Sequence, residues 1–414
     1  MTKRFAGIDV HKRMLMIVVV GAIDSEGDGL GKPIRRRCGT TTAELLQLCA
    51  WLKEMDVTQV VMESTAQYWK PVWLSLEGHF ELFLAQAWSN RAPRGKKADF
   101  KDAERLVRRH VAGELTLSFV PDSEQRLMRD VMRQRTQFTR TRVQIQNRVE
   151  SMLEATRIKL SSVITDLFGT SGLRILEALV DGVSDPEELI KLADARVKRT
   201  PQELADALTG EMSRYQRIML GQHLDHLKFV DSQIEKLVCL ANEVMRDFTD
   251  TIARLAQVPG IRALSAQQIM AETGPKAKAF DSAAQFSSWI GVCPGRNESA
   301  EENHSSRCPK GNVYLRRTLC QAAQAAVRTK NSFFEQKFKR LLPRLGYNKA
   351  VWAIARHLSV VIWKILHEGA AYIEYGALST PGAMKRRLQR LKREMRLLGY
   401  SDELKPIQIA SLGV

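Results

Sequence analysis

Arg4-Phe5-Ala6-Gly7-Ile8-Asp9-Val10-His11-Lys12-Arg13-Met14-Leu15-Met16-Ile17-Val18-Val19-Val20 is the stretch on which the N-terminal third turns. Phe5–Val10 and Leu15–Val20 are apolar, β-branched runs. The polar His11-Lys12-Arg13 between them reads as a turn, so the stretch predicts a β-hairpin. Outward from it, a third strand is expected over Pro33–Gly39, a helix over Thr42–Glu54, a short buried strand over Thr58–Met62 and another strand over Phe80–Ala85.

Three strands followed by alternating helix and strand is the order of an α/β ribonuclease-H-like domain, an order that other α/β folds also allow. From about Asp122 the pattern changes to long helices. Val131, Phe138, Ile145 and Met152 recur every seven residues, as do Leu220, Leu227, Ile234, Ala241 and Phe248. These predict either two arms of a helical hairpin or an intermolecular coiled coil, joined by a tip over Gly169–Pro201 without a sustained period. Val258-Pro259-Gly260-Ile261 then resembles the turn of a helix-hairpin-helix, in which a glycine lets backbone N–H groups approach a phosphate, or a tight helix–helix turn with no such role. The expected domains are 1–121 (ribonuclease-H-like, RuvC-like), 122–250 (helical hairpin or coiled coil), 251–376 (mostly α, with the hairpin element) and 377–414 (a basic tail).

The 414 residues carry 63 Lys and Arg against 46 Asp and Glu, a formal charge of +17. Such an excess favours a polyanionic partner such as DNA or RNA. No apolar run reaches the roughly 20 residues that span a bilayer, so no membrane partner is expected and the protein should be cytoplasmic and nucleoid-associated. The six cysteines form no C-x-x-C pair and read as reduced thiols.

Asp9 ends the first expected strand and Glu63 a later one, while Asp99 and Asp102 are three apart and share a face if a helix begins there. Convergence of four carboxylates is costly without a cation, because two like charges about 4 Å apart repel by roughly 4 kcal/mol at an effective dielectric near 20. The cluster therefore implies metal, and oxygen-only ligands select Mg²⁺ or Mn²⁺. Farther on, Trp289-Ile290-Gly291-Val292-Cys293-Pro294-Gly295-Arg296-Asn297-Glu298-Ser299-Ala300 leaves an apolar stretch for a polar loop, followed by Arg307, Lys310-Gly311-Asn312 and Arg316-Arg317. A serine hydroxyl beside basic residues at a helix start suits a phosphodiester. Chemistry alone does not separate Ser299 from Ser305 or Ser306. Arg126, Arg129, Arg133 and Arg140 form a candidate clamp on a nucleic-acid backbone, with Arg307, Lys310, Arg316 and Arg317 as further contacts.

Gly7-Ile8-Asp9-Val10-His11-Lys12, Glu63-Ser64-Thr65 with Tyr68-Trp69 and Pro71-Val72-Trp73, Lys97-Ala98-Asp99 with Asp102-Ala103, Val258-Pro259-Gly260-Ile261, and Gly291-x-Cys293-Pro294-Gly295 with Glu298-Ser299-Ala300 together resemble the DEDD-type insertion-sequence transposases. That group includes Piv-like invertases and bridge-RNA-guided recombinases. The resemblance implies a RuvC-like domain whose acidic tetrad maps onto Asp9, Glu63, Asp99 and Asp102, and a C-terminal transposase domain whose nucleophile maps onto Ser299. It further implies donor and target DNA, a guide RNA, a covalent serine–DNA link and a homo-tetramer. Members often carry glycine and a base soon after the serine, whereas Ala300, Glu301 and Glu302 stand here. The alternative enzyme class is a Holliday-junction-resolvase-like metal-dependent endonuclease in which the serine is incidental; a third class is a non-catalytic DNA-binding scaffold.

Overall fold

The computed structural model describes residues 3–21, 32–63, 66–90, 99–194, 197, 199–295, 298, 299, 302, 303, 307–374 and 381–398. The chain divides into two compact units, Met1–Pro121 and Asp122–Val414.

In the first unit the expected hairpin forms from Arg4–Val10 (β1) and Met14–Gly21 (β2), paired from Arg4↔Gly21 to Val10↔Leu15. Ile34–Gly39 (β3) adds antiparallel to β2. Thr42–Glu54 (α1) crosses to Val57–Glu63 (β4), which lies parallel to β1, and Trp69–Leu76 (α2) crosses to Glu81–Ala85 (β5), parallel to β4. Asp99–Val111 (α3) and the two-residue Leu117–Ser118 (β6) complete the unit. The sheet order is β3-β2-β1-β4-β5-β6. An antiparallel three-strand start followed by parallel strands on the other side of β1 is the ribonuclease-H-like arrangement.

The hairpin sequence alternates little because both faces of the sheet are covered. Ala6, Ile8, Val10, Leu15, Ile17 and Val19 pack under α1 and α2. Phe5, Met16, Val18, Val20 and Val61 face Ala103, Leu106 and Val107 of α3. Gly7 is what lets α3 lie so close: a Cβ there would stand 2.5 Å from the Ala103 carbonyl oxygen and 2.9 Å from Val107 Cβ. Helix α1 begins at a capping box in which Thr41 and Glu44 exchange hydrogen bonds, satisfying two otherwise orphaned N–H groups.

The second unit is helical. Ser123–Ala155 (α4) and Arg214–Val244 (α9) pack along one another within the chain, so the heptads form a helical hairpin. Met128, Val131, Ile145 and Val149 of α4 and Leu220, Leu224, Leu227 and Ala241 of α9 are buried. The expected featureless tip is instead a small helical domain. Leu160–Val163 (α5), Thr170–Asp181 (α6), Pro186–Ile190 (α7) and Pro201–Ala207 (α8) enclose Leu160, Leu176, Leu179, Leu189 and Leu204. Most of these helices are too short to display a period, and their starts are written instead as Asp185-Pro186 and Thr200-Pro201, a side-chain cap before a proline at the first turn.

Thr249–Ala256 (α10), Ala263–Thr273 (α11), Ala283–Ile290 (α12), Val313–Ala326 (α13) and Phe333–His367 (α14) share a further core around Leu255, Ile269, Phe286, Leu319 and Leu358. Between α12 and α13 a two-residue ladder pairs Glu298–Ser299 (β7) with Glu302–Asn303 (β8). Helix α14 breaks at Gly346 (φ +70°). It is long and apolar enough to cross a membrane, and 56% of its most apolar window is buried inside the protein. Pro381–Leu397 (α15) is the described part of the basic tail.

Gly260 closes the turn between α10 and α11 at φ +85°. A Cβ there would fall 2.1 Å from the carbonyl oxygen of Ala322 and 2.8 Å from the amide nitrogen of Ala326, and both Val258 and Ile261 are buried. The glycine thus admits the backbone of α13, and the turn is the tight helix–helix junction rather than an open phosphate loop.

Candidate functional site

The acids of the first unit are brought to one edge by the sheet register. Strands β1 and β4 are paired up to Ile8↔Met62, so Asp9 and Glu63 follow at adjacent strand ends. Their odd-numbered predecessors on both strands, Phe5 and Val61, face α3, and the pleat sends Asp9 and Glu63 to that same side. Helix α3 runs back along β1: His110 stacks near Phe5 (6.5 Å between rings) and Phe83 (4.4 Å), Val107 and Ala103 straddle Gly7, and the helix start approaches the Asp9 end. Burial pulls the His110 imidazole below its usual pKa. Asp102, buried, and Asp99 lie in the first turn of α3; the side chain of Asp99 is outside the described residues.

Hydrogen bonds tie these acids together. Asn90, at the end of a 3-10 turn after β5 (Ala87–Asn90), donates its Nδ2 to Glu63 Oε2 at 2.9 Å. Its backbone oxygen accepts from Arg105 Nε at 3.2 Å, and Arg105 Nη2 donates to Asp102 Oδ1 at 2.5 Å. Arg109 Nη1 likewise donates to the carbonyl of Ser89 at 2.7 Å. Two arginines of α3 therefore clasp the turn that holds Glu63, so Glu63 of β4 and Asp102 of α3 are linked through Asn90 and Arg105. Asp9 Oδ2 meets His11 Nε2 at 3.2 Å.

Among the described residues no three such side chains already stand as a metal cage. The donors present do fit a hard divalent cation, since all are oxygens. Asn90 strengthens the fit. It is 4% exposed and its Oδ1 has no partner among the described residues, leaving a buried amide oxygen beside Glu63 with an unmet demand for positive charge. Sequence reasoning missed Asn90, for which no local signal exists, and Arg105, whose position three residues after Asp102 was a usable one.

In the second unit the serine loop has a neck made of closely apposed backbone. Gly295 N donates to Arg307 O at 3.2 Å and Asn312 N to Trp289 O at 3.3 Å. A Cβ at Gly311 would fall 2.1 Å from Ile290 O, and one at Gly295 2.6 Å from Arg307 O, which accounts for the glycines of the motif. Beyond the neck, Ser299 is paired with Glu302 in the β7–β8 ladder. The side chains of Glu298, Ser299, Glu302 and Asn303 lie outside the described residues, as do Arg296, Asn297, Ala300, Glu301, His304, Ser305 and Ser306 entirely.

Asn312 caps α13, its Oδ1 accepting from Leu315 N at 2.9 Å, and its Nδ2 donates to Glu272 Oε2 at 2.8 Å. Glu272, fully buried on α11, receives Arg133 Nε and Nη2 at 2.8 and 2.7 Å. The hydrogen bonds to Glu272 raise the Arg133 pKa, while burial lowers that of Arg129, which donates to the carbonyls of Ala271 (3.2 Å) and Glu272. Of the four expected clamp residues, Arg129 and Arg133 are therefore occupied inside the protein. Arg140 lies with Arg133 over the ring of Tyr314, at 5.7 and 4.8 Å, and Arg126 is half-buried on the first turn of α4. Arg307, Lys310 and Arg317 are exposed, and Arg316 is half-buried against Trp352.

Known proteins agree with this architecture. Residues 6–158 match a DEDD-type IS110 family described as "Transposase", and residues 252–339 one described as "Transposase IS116/IS110/IS902 family". A family 20 transposase of Pseudomonas aeruginosa is 24% identical over 334 residues, spanning 79% of this chain and 89% of its own. A transposase of Sinorhizobium fredii is 28% identical over 309 residues, 71% of this chain and 72% of its own. The RuvC structure of Thermus thermophilus aligns with 28% of this chain and 99% of its own at 12% identity and a TM-score of 0.21; the fold assignment rests on the strand order instead. A ribonuclease-H-like domain joined to a matching C-terminal module defines a DNA transposase. Within that class the chain belongs to the IS110-type insertion-sequence transposases.

Proposed function

We propose that this transposase cuts and rejoins DNA through a covalent serine intermediate, with Asp9, Glu63, Asp99 and Asp102 as the acidic tetrad and Ser299 as nucleophile. The observation that carries the reading is the convergence of strand ends and helix start in the first unit, where Asn90 and Arg105 join Glu63 to Asp102. Mg²⁺ or Mn²⁺ held there would supply Lewis acidity toward a phosphodiester. The Ser299 oxygen attacks phosphorus, a P–O bond to serine forms, and the bond to the 3′-oxygen breaks. That oxygen leaves as a 3′-hydroxyl, taking up a proton equivalent to the one the serine gives up. The retained phosphoester conserves the energy needed for rejoining. Donor and target DNA are the substrates, and we further propose a guide RNA and a homo-tetramer, in keeping with the charge of +17 and the motif resemblance.

Denaturing gels of the protein with DNA from its own element ends and Mg²⁺ test this. Wild type is expected to leave a protein–DNA adduct and Ser299→Ala none. An adduct that persists in Ser299→Ala removes the serine assignment, and hydrolysed ends with no adduct in wild type indicate resolvase-like chemistry. A discrete RNA that copurifies with the protein supports guidance, and its reproducible absence counts against it.

A further inference from the structure

A groove of about 710 Å³ opens beside the neck of the serine loop, within the roughly 300–1,000 Å³ typical of small-ligand sites. Its position is set by backbone: Pro294 and Arg307, which line it, flank the Gly295–Arg307 hydrogen bond that closes the neck. Helix α14 contributes lining residues from before and after its break at Gly346, with Leu345 just before it. Lys349, Trp352 and Arg356 line it after the break, spaced so that they share one helix face.

The chemistry of the lining is one-sided. Arg307, Arg316, Lys349 and Arg356 contribute four cations, and no carboxylate lines the groove among the described residues. The floor is apolar, and across it the Arg316 guanidinium lies 5.0 Å from the Trp352 ring centroid, steadied by a 2.7 Å hydrogen bond to the carbonyl of Pro309. A flat, preorganised Arg–Trp surface suits a planar aromatic ring, and cations around its rim suit phosphates on either side of that ring. A nucleotide meets both demands. A base seated here cannot remain stacked in a duplex, so it must be swung out of the helix.

We propose that this groove seats one extrahelical nucleotide of the DNA strand presented to Ser299. The inference rests on the reading of Ser299 given above and deepens it: the seat would fix the strand at the foot of the loop, so that the scissile phosphate is held by its neighbouring nucleotide as well as by the attacking group.

The test uses full-length protein in chelator, with a short oligodeoxythymidylate carrying one 5-iododeoxyuridine. Irradiation is expected to crosslink the iodinated base to Trp352, mapped by peptide mass spectrometry, and Trp352→Leu is expected to lose that crosslink. Because Trp352 also touches the core, the paired surface variant Lys349→Glu/Arg356→Glu provides a second readout, expected to weaken oligonucleotide binding roughly tenfold or more with an unchanged Tm. Crosslinks confined to other residues, or unaltered affinity in the paired variant, overturn the proposal. So does a groove crosslink obtained with the ribo-oligonucleotide of the same sequence and not with the deoxy form. The two readings separate cleanly: a Ser299 adduct without the Trp352 crosslink removes the seat alone, whereas the crosslink in a protein that never forms an adduct supports the seat and removes the serine.

Discussion

Arg133 closes on Glu272 with two parallel hydrogen bonds, 2.8 and 2.7 Å, across the junction of α4 and α11, and Glu272 has no solvent exposure at all. A buried carboxylate of this kind is tolerated only because its partners are complete: Arg133, the amide of Asn312 and, at 3.9 Å, Arg129.

Glu272→Ala is accordingly expected to destabilise the protein by about 3–5 kcal/mol, since it leaves two partly buried guanidinium groups without an anion. Thermal unfolding should show a Tm lowered by roughly 10 °C. The double replacement Glu272→Leu with Arg133→Met should recover much of this loss. A Tm within a degree of wild type in the single variant would contradict the role assigned to Glu272.

Gly7→Ala should disable the acidic site without touching an acid. The new Cβ would meet the Ala103 carbonyl and Val107 at 2.5 and 2.9 Å, pushing α3 off β1 at a cost of about 1–3 kcal/mol. Loss of metal-dependent DNA cleavage together with faster amide exchange in α3 is the expected result. Gly21→Ala, whose nearest neighbour would be Arg4 Cγ at 3.9 Å, is the control and should leave both unchanged.

Asn90→Ala removes the donor to Glu63 and the unmatched amide oxygen together. Mn²⁺ affinity, followed by the electron paramagnetic resonance of free ion, is expected to fall about 10–100-fold, the usual effect of deleting a group that orients a metal ligand. Unchanged affinity would show that Asn90 is only a structural residue of its turn.

His357 provides the pH dependence. Burial, with Lys337 and Arg356 close by, pushes its pKa down to about 4, so the folded protein keeps it neutral while an unfolded chain takes up a proton near 6.5. Its contribution to stability is complete above pH 6.5 and is lost as pH falls from 6.5 to about 4. Allowing for partial exposure, the loss is about 2 kcal/mol. His357→Gln should flatten that part of the stability–pH curve; an unaltered slope would place the dependence elsewhere.

Much of the first unit was legible because β-branched runs and polar turns state a hairpin locally, and because Asp9 and Glu63 stand at strand ends. Asn90 was not, since it meets Glu63 only after α2, β5 and a 3-10 turn have folded, a relationship no spacing encodes. Glu272 carried a signal that went unread: a single acid within Ile269-Met270-Ala271-Glu272-Thr273 calls for a buried partner. The arginines that answer it, Arg129 and Arg133, were expected to clamp a nucleic-acid backbone on their charge alone, whereas their neighbours Met128 and Met132 pack into the buried junction with Met270 and Ala271. Gly260 was legible as a turn and misleading as a phosphate contact, because the backbone it admits belongs to a helix some sixty residues later.

Helix α4 is gripped near its beginning by Glu272 and buried near its end in the core of the small helical domain, through Val149 and Leu153. Its thirty-three residues make a rod about 50 Å long. From Arg133, where Glu272 grips it, to Ala155 the arm is about 33 Å, so a tilt of about 5° there swings the far end by about 3 Å, roughly the length of a hydrogen bond. The carboxylate that holds this arm near its base also holds Asn312, so the rod that carries the distal helices and the foot of the serine loop share one buried anchor.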